Sequence, residues 1–160
     1  MKLKLLIVAL FCSALGLGQV SMSTTGSYSQ NFDGLINTGS TTWTDNSTIA
    51  NWYSQRTGTG TTIVANDGSS NTGNLYSYGT GTNADRALGT LGSGTPGNFA
   101  NGLLLQNTSS SIITDIRVSY IMEQWRNSAA AAQTISFYYK ISSTSFTPLD
   151  PNNNTGWTRS

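Results

Sequence analysis

Few side chains in this chain could carry out acid–base or nucleophilic chemistry: seven of its 160 residues are acidic and none is histidine. Without histidine, nucleophile–histidine pairs and metal sites of the His/Cys type are excluded. Six of the acids lie in turns or beside Gly, Asn or Ser, where Asp usually caps its own backbone. These six are Asp33, Asp45, Asp67, Asp85, Asp115 and Asp150. A carboxylate pair for glycoside hydrolysis is not indicated, and no catalytic residue is predicted.

The seventh acid, Glu123, lies in a strand-like run two residues before Trp125. A carboxylate placed in this way, in a chain with few arginines, is expected to pair with a guanidinium. The candidates are Arg86 and Arg56, with Arg126 as a further alternative. If the pair is buried, removing one partner would cost about 3–5 kcal/mol. The sequence therefore predicts a structural ion pair at Glu123.

The loop that begins at Asp67 offers oxygen atoms that calcium could use. Its sequence, Asp-Gly-Ser-Ser-Asn-Thr-Gly, contains Asp67 and Asn71, and Asp85 could approach it in space. Calcium requires about 6–8 oxygen ligands, and the spacing is not that of an EF-hand. Ordinary Asx turns explain the same residues and are favoured. No other cofactor is predicted.

Aromatic side chains are the remaining candidates for a binding function. Exposed rings stack on sugar faces, while Asn, Asp and Gln bind the sugar hydroxyls. The candidate platform is Tyr76, Tyr78, Trp52 and Tyr53, with Trp43 and Trp125 as further rings. Tyr76 and Tyr78 are two residues apart, so a strand projects both from one face. For any single ring, burial in the core is the favoured alternative.

The first 18 residues have the pattern of a cleavable signal peptide. Lys2 and Lys4 precede an apolar run over residues 5–15, and small residues follow up to Gly18. The run fits the roughly 7–15 apolar residues of a signal peptide and is shorter than the about 20 that span a membrane. We predict cleavage near Gly18, a secreted or cell-surface location, and no membrane span afterwards.

Cleavage would also change the charge and the cysteine content. Lys2, Lys4 and the only cysteine, Cys12, would leave, so that six basic residues face seven acidic ones. The exported chain would have no disulfide and no thiol. Lipid attachment at Cys12 is disfavoured because bulky Phe11 precedes it. The remaining basic residues are scattered singly, so nucleic acid is not an expected partner.

Alternating apolar and polar residues predict β-strands over the rest of the chain. The shorter predicted strands are 28–32, 52–56, 61–65, 75–78, 86–91 and 100–106. The clearest alternations, 113–125 and 135–141, are expected to form an antiparallel pair. About eight strands joined by Gly-rich turns favour an antiparallel β-sandwich, a jelly roll. An immunoglobulin-type sandwich is the alternative, although its cysteine pair is missing.

The predicted domain organisation has three parts. The signal peptide covers 1–18, a flexible segment 19–27, and the β-sandwich domain 28–160. Trp157 and Thr158 look like the start of a further strand. We therefore expect the sandwich to be incomplete at its C-terminus. A sandwich that lacks its last strand has an unpaired inner strand edge, which favours aggregation.

Five segments resemble the N-terminal modules of large secreted proteins from Bacteroidetes and related bacteria. They are 28–35, Trp52-Tyr53, 66–73, 84–89 and 123–127, of which Glu-Gln-Trp-Arg at 123–126 is the most specific. The resemblance covers nearly all of residues 28–158. It implies a jelly-roll domain ahead of adhesin-like repeats, lamin-tail or nuclease domains, or a C-terminal sorting signal. It implies no established activity, and in those proteins a strand continues beyond the tryptophan that corresponds to Trp157.

Three classes of function are consistent with these patterns. The favoured one is a non-catalytic extracellular or cell-surface module that acts in adhesion, glycan binding or spacing. Its expected partner is an extracellular glycan or another cell-surface component. The alternative is an accessory domain of a secreted hydrolase or nuclease whose catalytic domain lies beyond residue 160. A self-contained enzyme is disfavoured because histidine is missing and acids are sparse.

Overall fold

The computed structural model describes residues 18–129, 133–143 and 147–160. Within these ranges the secondary structure consists of ten strands and no α-helix. The strands are β1 (Val20–Met22), β2 (Ser40–Thr42), β3 (Trp52–Arg56), β4 (Thr62–Asn66), β5 (Asn74–Tyr78), β6 (Ala87–Leu91), β7 (Phe99–Leu103), β8 (Leu105–Asn107), β9 (Tyr138–Tyr139) and β10 (Thr158–Arg159). The prediction of an all-β chain is confirmed. The predicted signal peptide lies outside the described residues, apart from Gly18.

The strands form one four-stranded sheet and three two-stranded sheets. The four-stranded sheet has the order β2-β4-β5-β6, and the smaller sheets pair β3 with β7, β1 with β8, and β9 with β10. Four of the six strand pairs are antiparallel, namely β2–β4, β3–β7, β5–β6 and β9–β10. The parallel pairs are β1–β8 and β4–β5. The predicted wholly antiparallel arrangement is therefore corrected to a mixed one.

The parallel pair β4–β5 constrains the chain between its two strands. Parallel neighbours cannot be joined by a tight hairpin, because the chain must return to the starting end of the sheet. Each strand has five residues, a length of about 17 Å. The return is made by residues 67–73, which can span at most roughly 25 Å. This crossover loop, as we call residues 67–73, must therefore cover about two-thirds of its greatest possible span as it returns along the sheet.

The hydrophobic core draws its residues from the four-stranded sheet, from β3 and β7, and from the loops between the strands. Its buried members are Leu35, Trp43, Ile49, Ile63 and Leu75, and Phe32, Ile36, Trp52, Leu88 and Phe99 pack against them. Ile63 and Leu75 are opposite each other in the β4–β5 ladder, and both are fully buried. Trp52 and Phe99 reach the same cluster from β3 and β7. Full burial of each large apolar side chain contributes about 1.5–3 kcal/mol.

Asp45 fastens the loop that follows β2 onto strand β3. Its Oδ1 accepts hydrogen bonds from Nε1 of Trp43, at 2.7 Å, and from the backbone N–H of Ser54, at 2.8 Å. Its Oδ2 accepts a bond from Nε2 of Gln55 at 2.5 Å. Hydrogen bonds to an ionised acceptor are roughly twice as strong as neutral ones. The half-buried carboxylate thus satisfies the indole of a core tryptophan and anchors β3.

The structure confirms most of the shorter predicted strands to within two residues. The prediction over 28–32 is wrong, because Phe32 has a φ of 65° and its N–H bonds to the side chain of Gln30. A positive φ is incompatible with a regular strand. The predicted strand 100–106 is divided at Leu104 into β7 and β8.

The two segments with the clearest alternation, 113–125 and 135–141, also differ in structure from the prediction. Residues 113–125 form no strand, and within 135–141 only Tyr138–Tyr139 is a strand, which pairs with β10. A strand is stabilised by a hydrogen-bonding neighbour as well as by alternation. No described strand lies against residues 113–125. The predicted strand over 113–125 is therefore wrong, and so is its predicted pairing with 135–141.

The prediction that segment 19–27 is flexible is corrected for its first residues, which form strand β1. Val20 is buried, and its N–H donates to the carbonyl oxygen of Leu104 at 2.8 Å. Val20–Met22 pairs in register with Leu105–Asn107. Burial of an apolar side chain and a ladder of backbone hydrogen bonds hold this part of the segment in place.

We expect Asp45→Ala to lower the free energy of unfolding by about 2–4 kcal/mol, because three donors lose an ionised acceptor. Urea unfolding followed by tryptophan fluorescence measures the change. Asp150→Ala is the matched control, since exposed Asp150 accepts a bond from the N–H of Asn152 at 2.8 Å in a surface turn. The control should lose less than about 1 kcal/mol. Equal losses in both variants would contradict the anchoring role.

Candidate functional site

The outer face of the four-stranded sheet is covered by an aromatic stack. Tyr76 and Tyr78 project from the same face of β5, with ring centroids 5.1 Å apart. The indole of Trp125 lies parallel to the ring of Tyr78, with centroids 5.9 Å apart and an interplanar angle of 4°. A residue far along the chain therefore closes the side of β5 that faces away from the core.

The segment that carries Trp125 is fixed to the crossover loop. Nη1 of Arg126 donates to the carbonyl oxygens of Gly68, at 3.3 Å, and Ser69, at 3.1 Å. Gly68 has a φ of +91°, and a Cβ at this position would overlap the carbonyl oxygen of Trp125. Glycine is required here both for the backbone conformation and for the close approach. The segments 66–73 and 123–127 are therefore direct neighbours.

Hydrogen bonds within the crossover loop shape it further. Oδ1 of Asn66 accepts the N–H groups of Gly68, at 2.8 Å, and Ser70, at 3.4 Å. Oδ1 of Asp67 accepts the N–H of Ser69 at 3.0 Å. Hydrogen bonds from the side chain and backbone of Ser69 hold the pKa of Asp67 below its ordinary value. Asp67 therefore presents an ionised, exposed carboxylate at neutral pH.

A small polar cleft lies where the crossover loop leaves β4. It has a volume of about 190 Å³ and is lined by Asn37, Thr38, Ala65, Asn66, Asp67, Gly79 and Gly81. The lining residues therefore include two with amide side chains, one with a hydroxyl and one with a carboxylate. Pockets for drug-sized ligands usually measure about 300–1,000 Å³, so this cleft, which we call the Asp67 cleft, suits one small polar group. Nδ2 of Asn37 donates to the carbonyl of Thr82 at 3.0 Å, which fixes the amide orientation.

A second cavity, of about 370 Å³, lies at the end of β3. It is lined by Gln55, Arg56, Thr57, Thr147, Pro148, Asp150, Pro151 and Asn152. The guanidinium of Arg56 lies 5.1 Å from the ring centroid of Phe99 and donates to the carbonyl of Thr62 at 3.4 Å. Burial lowers the pKa of Arg56. This cation is engaged in holding β3 and β7 together, so it is less available to a ligand.

The four rings predicted to form a binding platform are mostly buried. Tyr76 is 2% exposed, Tyr53 and Tyr78 are each 7% exposed, and Trp52 is half-buried. The hydroxyl of Tyr76 donates to the carbonyl of Thr72 and so fastens the crossover loop. The predicted exposed platform is corrected, because both faces of β5 are covered.

The other two rings contact different parts of the chain. Trp52 packs edge-on against Phe32, with centroids 4.8 Å apart, and its Nε1 donates to the hydroxyl of Tyr28 at 3.0 Å. The hydroxyl of Tyr53 donates to the carbonyl oxygen of Gly18 at 2.9 Å. Neither ring lies beside Tyr76 and Tyr78 as a common surface. No aromatic residue is among those that line the Asp67 cleft, and Trp125 contacts the adjoining crossover loop through its carbonyl oxygen at Gly68.

The predicted ion pair of Glu123 with Arg86 or Arg56 is not formed. Oε2 of Glu123 accepts a bond from Nε1 of Trp125 at 2.7 Å, on the exposed surface. Arg86 is 3% exposed, and its Nε donates to Oγ of Ser77 at 3.0 Å. A second nitrogen of Arg86 donates to the carbonyl of Ser77. The guanidinium is thus satisfied by neutral oxygens next to β5, and burial lowers the pKa of Arg86 although Asp85 opposes the shift.

The three candidate calcium ligands are engaged in loops. Asp67 accepts the N–H of Ser69, and the N–H of Asp85 donates to Oδ1 of Asn83 at 3.3 Å. Asn71 is exposed within the crossover loop. Among the described residues, no three His, Cys, Asp or Glu side chains converge as a metal site would require. The Asx-turn geometry accounts for Asp67 as it stands.

Sequence reasoning identified Asp67 and missed the residues that share its cleft. Asn37, Thr38 and Asn66 carry ordinary turn signals, and nothing in their local pattern brings 37–38 close to 66–67. That proximity follows from β2 and β5 both being neighbours of β4. A parallel crossover cannot be inferred from alternation alone, so the cleft had no sequence signal.

The chain was compared with protein families, curated proteins and solved structures. No family model matches the chain, and neither a curated protein nor a solved structure shows significant similarity to it. In the ranges that the structure describes, no helix has the length and apolar character needed to cross a bilayer.

We expect Gly68→Ala to lower the free energy of unfolding by about 2–4 kcal/mol, because the new Cβ combines a positive φ with overlap of the Trp125 carbonyl. Thermal unfolding measured by circular dichroism would show the loss. Gly94→Ala is the control, since a Cβ there meets no atom within 4 Å, and it should change stability by less than about 0.5 kcal/mol. Similar melting temperatures for the two variants would contradict the docking of 123–126 on this loop.

The ionisation of Tyr78 predicts a loss of stability at high pH. Burial, reinforced by Tyr76 and opposed by Arg126, raises the pKa of Tyr78 from 10.0 to about 12. The folded state therefore holds this proton more tightly than the unfolded state. Its contribution is complete below pH 10 and is lost as the pH rises from 10 toward 12.

Denaturant midpoints measured between about pH 9 and about pH 11 test this expectation. Tyr78→Phe keeps a ring against Trp125 but has no titrating hydroxyl, so its midpoint should fall less steeply. Burial, and then Asp45, also raises the pKa of Tyr53, and this contribution is common to both proteins. Parallel pH profiles for the two proteins would contradict the assignment to Tyr78.

Proposed function

We propose that this chain is a non-catalytic module, secreted or displayed at the cell surface, that binds a carbohydrate at the Asp67 cleft. The observation that carries the proposal is the convergence of two amides, a hydroxyl and an ionised carboxylate in a cleft of about 190 Å³. The cleft adjoins the loop on which Trp125 is docked. Amide, hydroxyl and carboxylate side chains are the groups that bind sugar hydroxyls.

Each group in the cleft has a defined use toward a sugar. An ionised carboxylate such as Asp67 accepts hydrogen bonds from hydroxyl groups, and charge makes these bonds the stronger ones. The amides of Asn37 and Asn66 can both donate and accept, as sugar hydroxyls also can. Gly79 and Gly81 also line the cleft and have no side chain to fill it. The small volume favours a single ring, such as a terminal residue of a glycan.

The proposed architecture is a β-sandwich of the jelly-roll type. Its support is the core cluster, to which the four-stranded sheet contributes Ile63 and Leu75 and the β3–β7 sheet contributes Trp52 and Phe99. Two sheets that share one core are the defining feature of a sandwich. The resemblance of the segments 66–73 and 123–127 to secreted modules supports the same architecture, since these segments contact each other.

The proposed location follows from the N-terminal sequence. Lys2 and Lys4, the apolar run over 5–15 and the small residues up to Gly18 together have the order of a signal peptide. An exported module that binds glycans would act in adhesion, or would hold a larger protein at a surface. The sugar-binding cleft is compatible with either role.

A glycan array probed with the purified chain tests the proposal. We expect binding to one class of glycans, and we expect Asp67→Ala to weaken it about tenfold or more, because the ligand loses a charged acceptor. Asn37→Ala should weaken the same binding. Titration calorimetry with the array's best glycan would measure each effect.

Asn101→Ala is the matched control, since Asn101 is an exposed amide on β7, in the other sheet. It should bind as the unmodified chain does, and all variants should be compared at equal folded fraction by circular dichroism. Two results would contradict the proposal. One is the absence of binding across the array, which would favour a spacer role, and the other is binding that Asp67→Ala leaves unchanged.

A further inference from the structure

A band of exposed apolar side chains lies away from the Asp67 cleft, along the segments 112–122 and 135–141. Its members are Ile112, Ile116, Val118, Tyr120, Ile121, Met122, Ile135, Phe137, Tyr139 and Ile141. They are between 36% and 90% exposed. We call this surface the apolar band. Soluble monomers rarely expose contiguous apolar patches of more than a few hundred Å², so the band has the character of an interface.

The backbone of one segment of the band, residues 112–122, has no hydrogen-bonding partner in the described part of the chain. These residues contain no helix, turn or bend, so their backbone is open to pairing with another strand. Extended backbone with free N–H and C=O groups is a template for strand addition. The partner must therefore be an extended segment that offers both backbone hydrogen bonds and alternating apolar side chains.

The two segments of the band lie next to each other. The rings of Tyr120 and Phe137 are stacked, with centroids 6.3 Å apart and an interplanar angle of 15°. The segment 135–141 is itself held by β9, which pairs with β10. The stacked rings of Tyr120 and Phe137 thus join the two segments of the band.

We propose that the apolar band binds the same band of a second copy of this chain. The pairing is antiparallel and centred on Ile116, which faces Ile116 of the second copy. In this register Ile112 lies opposite Tyr120 of the second copy, and Thr114 lies opposite Val118. Even-numbered residues face even-numbered ones, so the apolar faces of the two strands coincide. Aromatic and β-branched pairs of this kind stabilise antiparallel strands.

Charge complementarity selects this register and this partner. Asp115 and Arg117 flank Ile116 on the opposite face of the strand, and both are exposed. Antiparallel pairing about Ile116 places Asp115 directly opposite Arg117 of the second copy, and Arg117 opposite Asp115. A two-fold axis therefore forms two opposite-charge pairs with no like-charge contact. Such a self-complementary contact closes a dimer with both copies equivalent.

The exposed area is of the size that a stable dimer needs. An aromatic side chain buries on the order of 150–250 Å² when it is fully covered, and the band holds three of these, Tyr120, Phe137 and Tyr139, beside seven exposed aliphatic side chains. Standard interfaces bury about 800 Å² on each partner. Both segments of the band together offer an apolar surface to such an interface, and none of their residues lines the Asp67 cleft, so the proposed dimer does not depend on sugar binding.

Charge reversal tests the proposal. Sedimentation equilibrium should show a dimer for the unmodified chain, and Asp115→Arg or Arg117→Asp alone should raise the dimer dissociation constant about tenfold or more, because like charges then face each other. The double variant Asp115→Arg/Arg117→Asp restores both pairs and should return the constant to within about threefold. Both positions are exposed, so the variants should fold, which circular dichroism would verify.

Cross-linking tests the register separately. In a Cys12→Ser background, Ile116→Cys should form a disulfide between copies, since Cα atoms opposite each other are about 4.5–5.5 Å apart, within disulfide range. Ile121→Cys is the control, because its two copies would lie roughly 30 Å apart. A monomer at all concentrations overturns the proposal. So does a dimer that charge reversal leaves unchanged, or one that cross-links at position 121 in preference to 116.

Discussion

The parallel pairing of β4 with β5 is the constraint on which most of this structure depends. It forces the chain to return along the sheet between Asn66 and Asn74, and the returning residues 67–73 become a surface rather than a simple turn. This surface holds Asp67, receives Arg126 and lies against the backbone of Trp125. An antiparallel hairpin at the same place would provide neither the cleft nor the docking position.

The sequence predicts strands well where alternation and turn residues occur together. β3, β4, β5 and β6 follow from short apolar runs bounded by Gly, Asn and Asp. Their neighbours do not follow, because pairing is set by contacts between distant residues, such as Tyr53 with Gly102. The same limit explains 113–125, whose alternation indicates an extended backbone but cannot supply the strand that it would pair with.

In the candidate site, too, some residues can be recognised from the sequence and others cannot. Asp67 is recognisable because Asp-Gly marks a turn, whereas Asn37 joins the site only through the order of the sheet. The predicted partner of Arg86 was a carboxylate, by the general expectation for a buried cation. The structure uses the hydroxyl and carbonyl oxygens of Ser77 instead. Neutral oxygens on an adjacent strand satisfy a guanidinium as well, and no pattern of charges in the sequence reports them.

The contact of Trp125 with Tyr78, on the outer face of β5, joins residues that are far apart in the chain. Leu75 can be buried once β4 and the core are formed, but Tyr78 is covered by Trp125, which emerges much later during synthesis. Until then the partly assembled chain carries an uncovered aromatic surface, which is a condition that favours aggregation of folding intermediates. The cover of Tyr78 is therefore completed only when residue 125 is present.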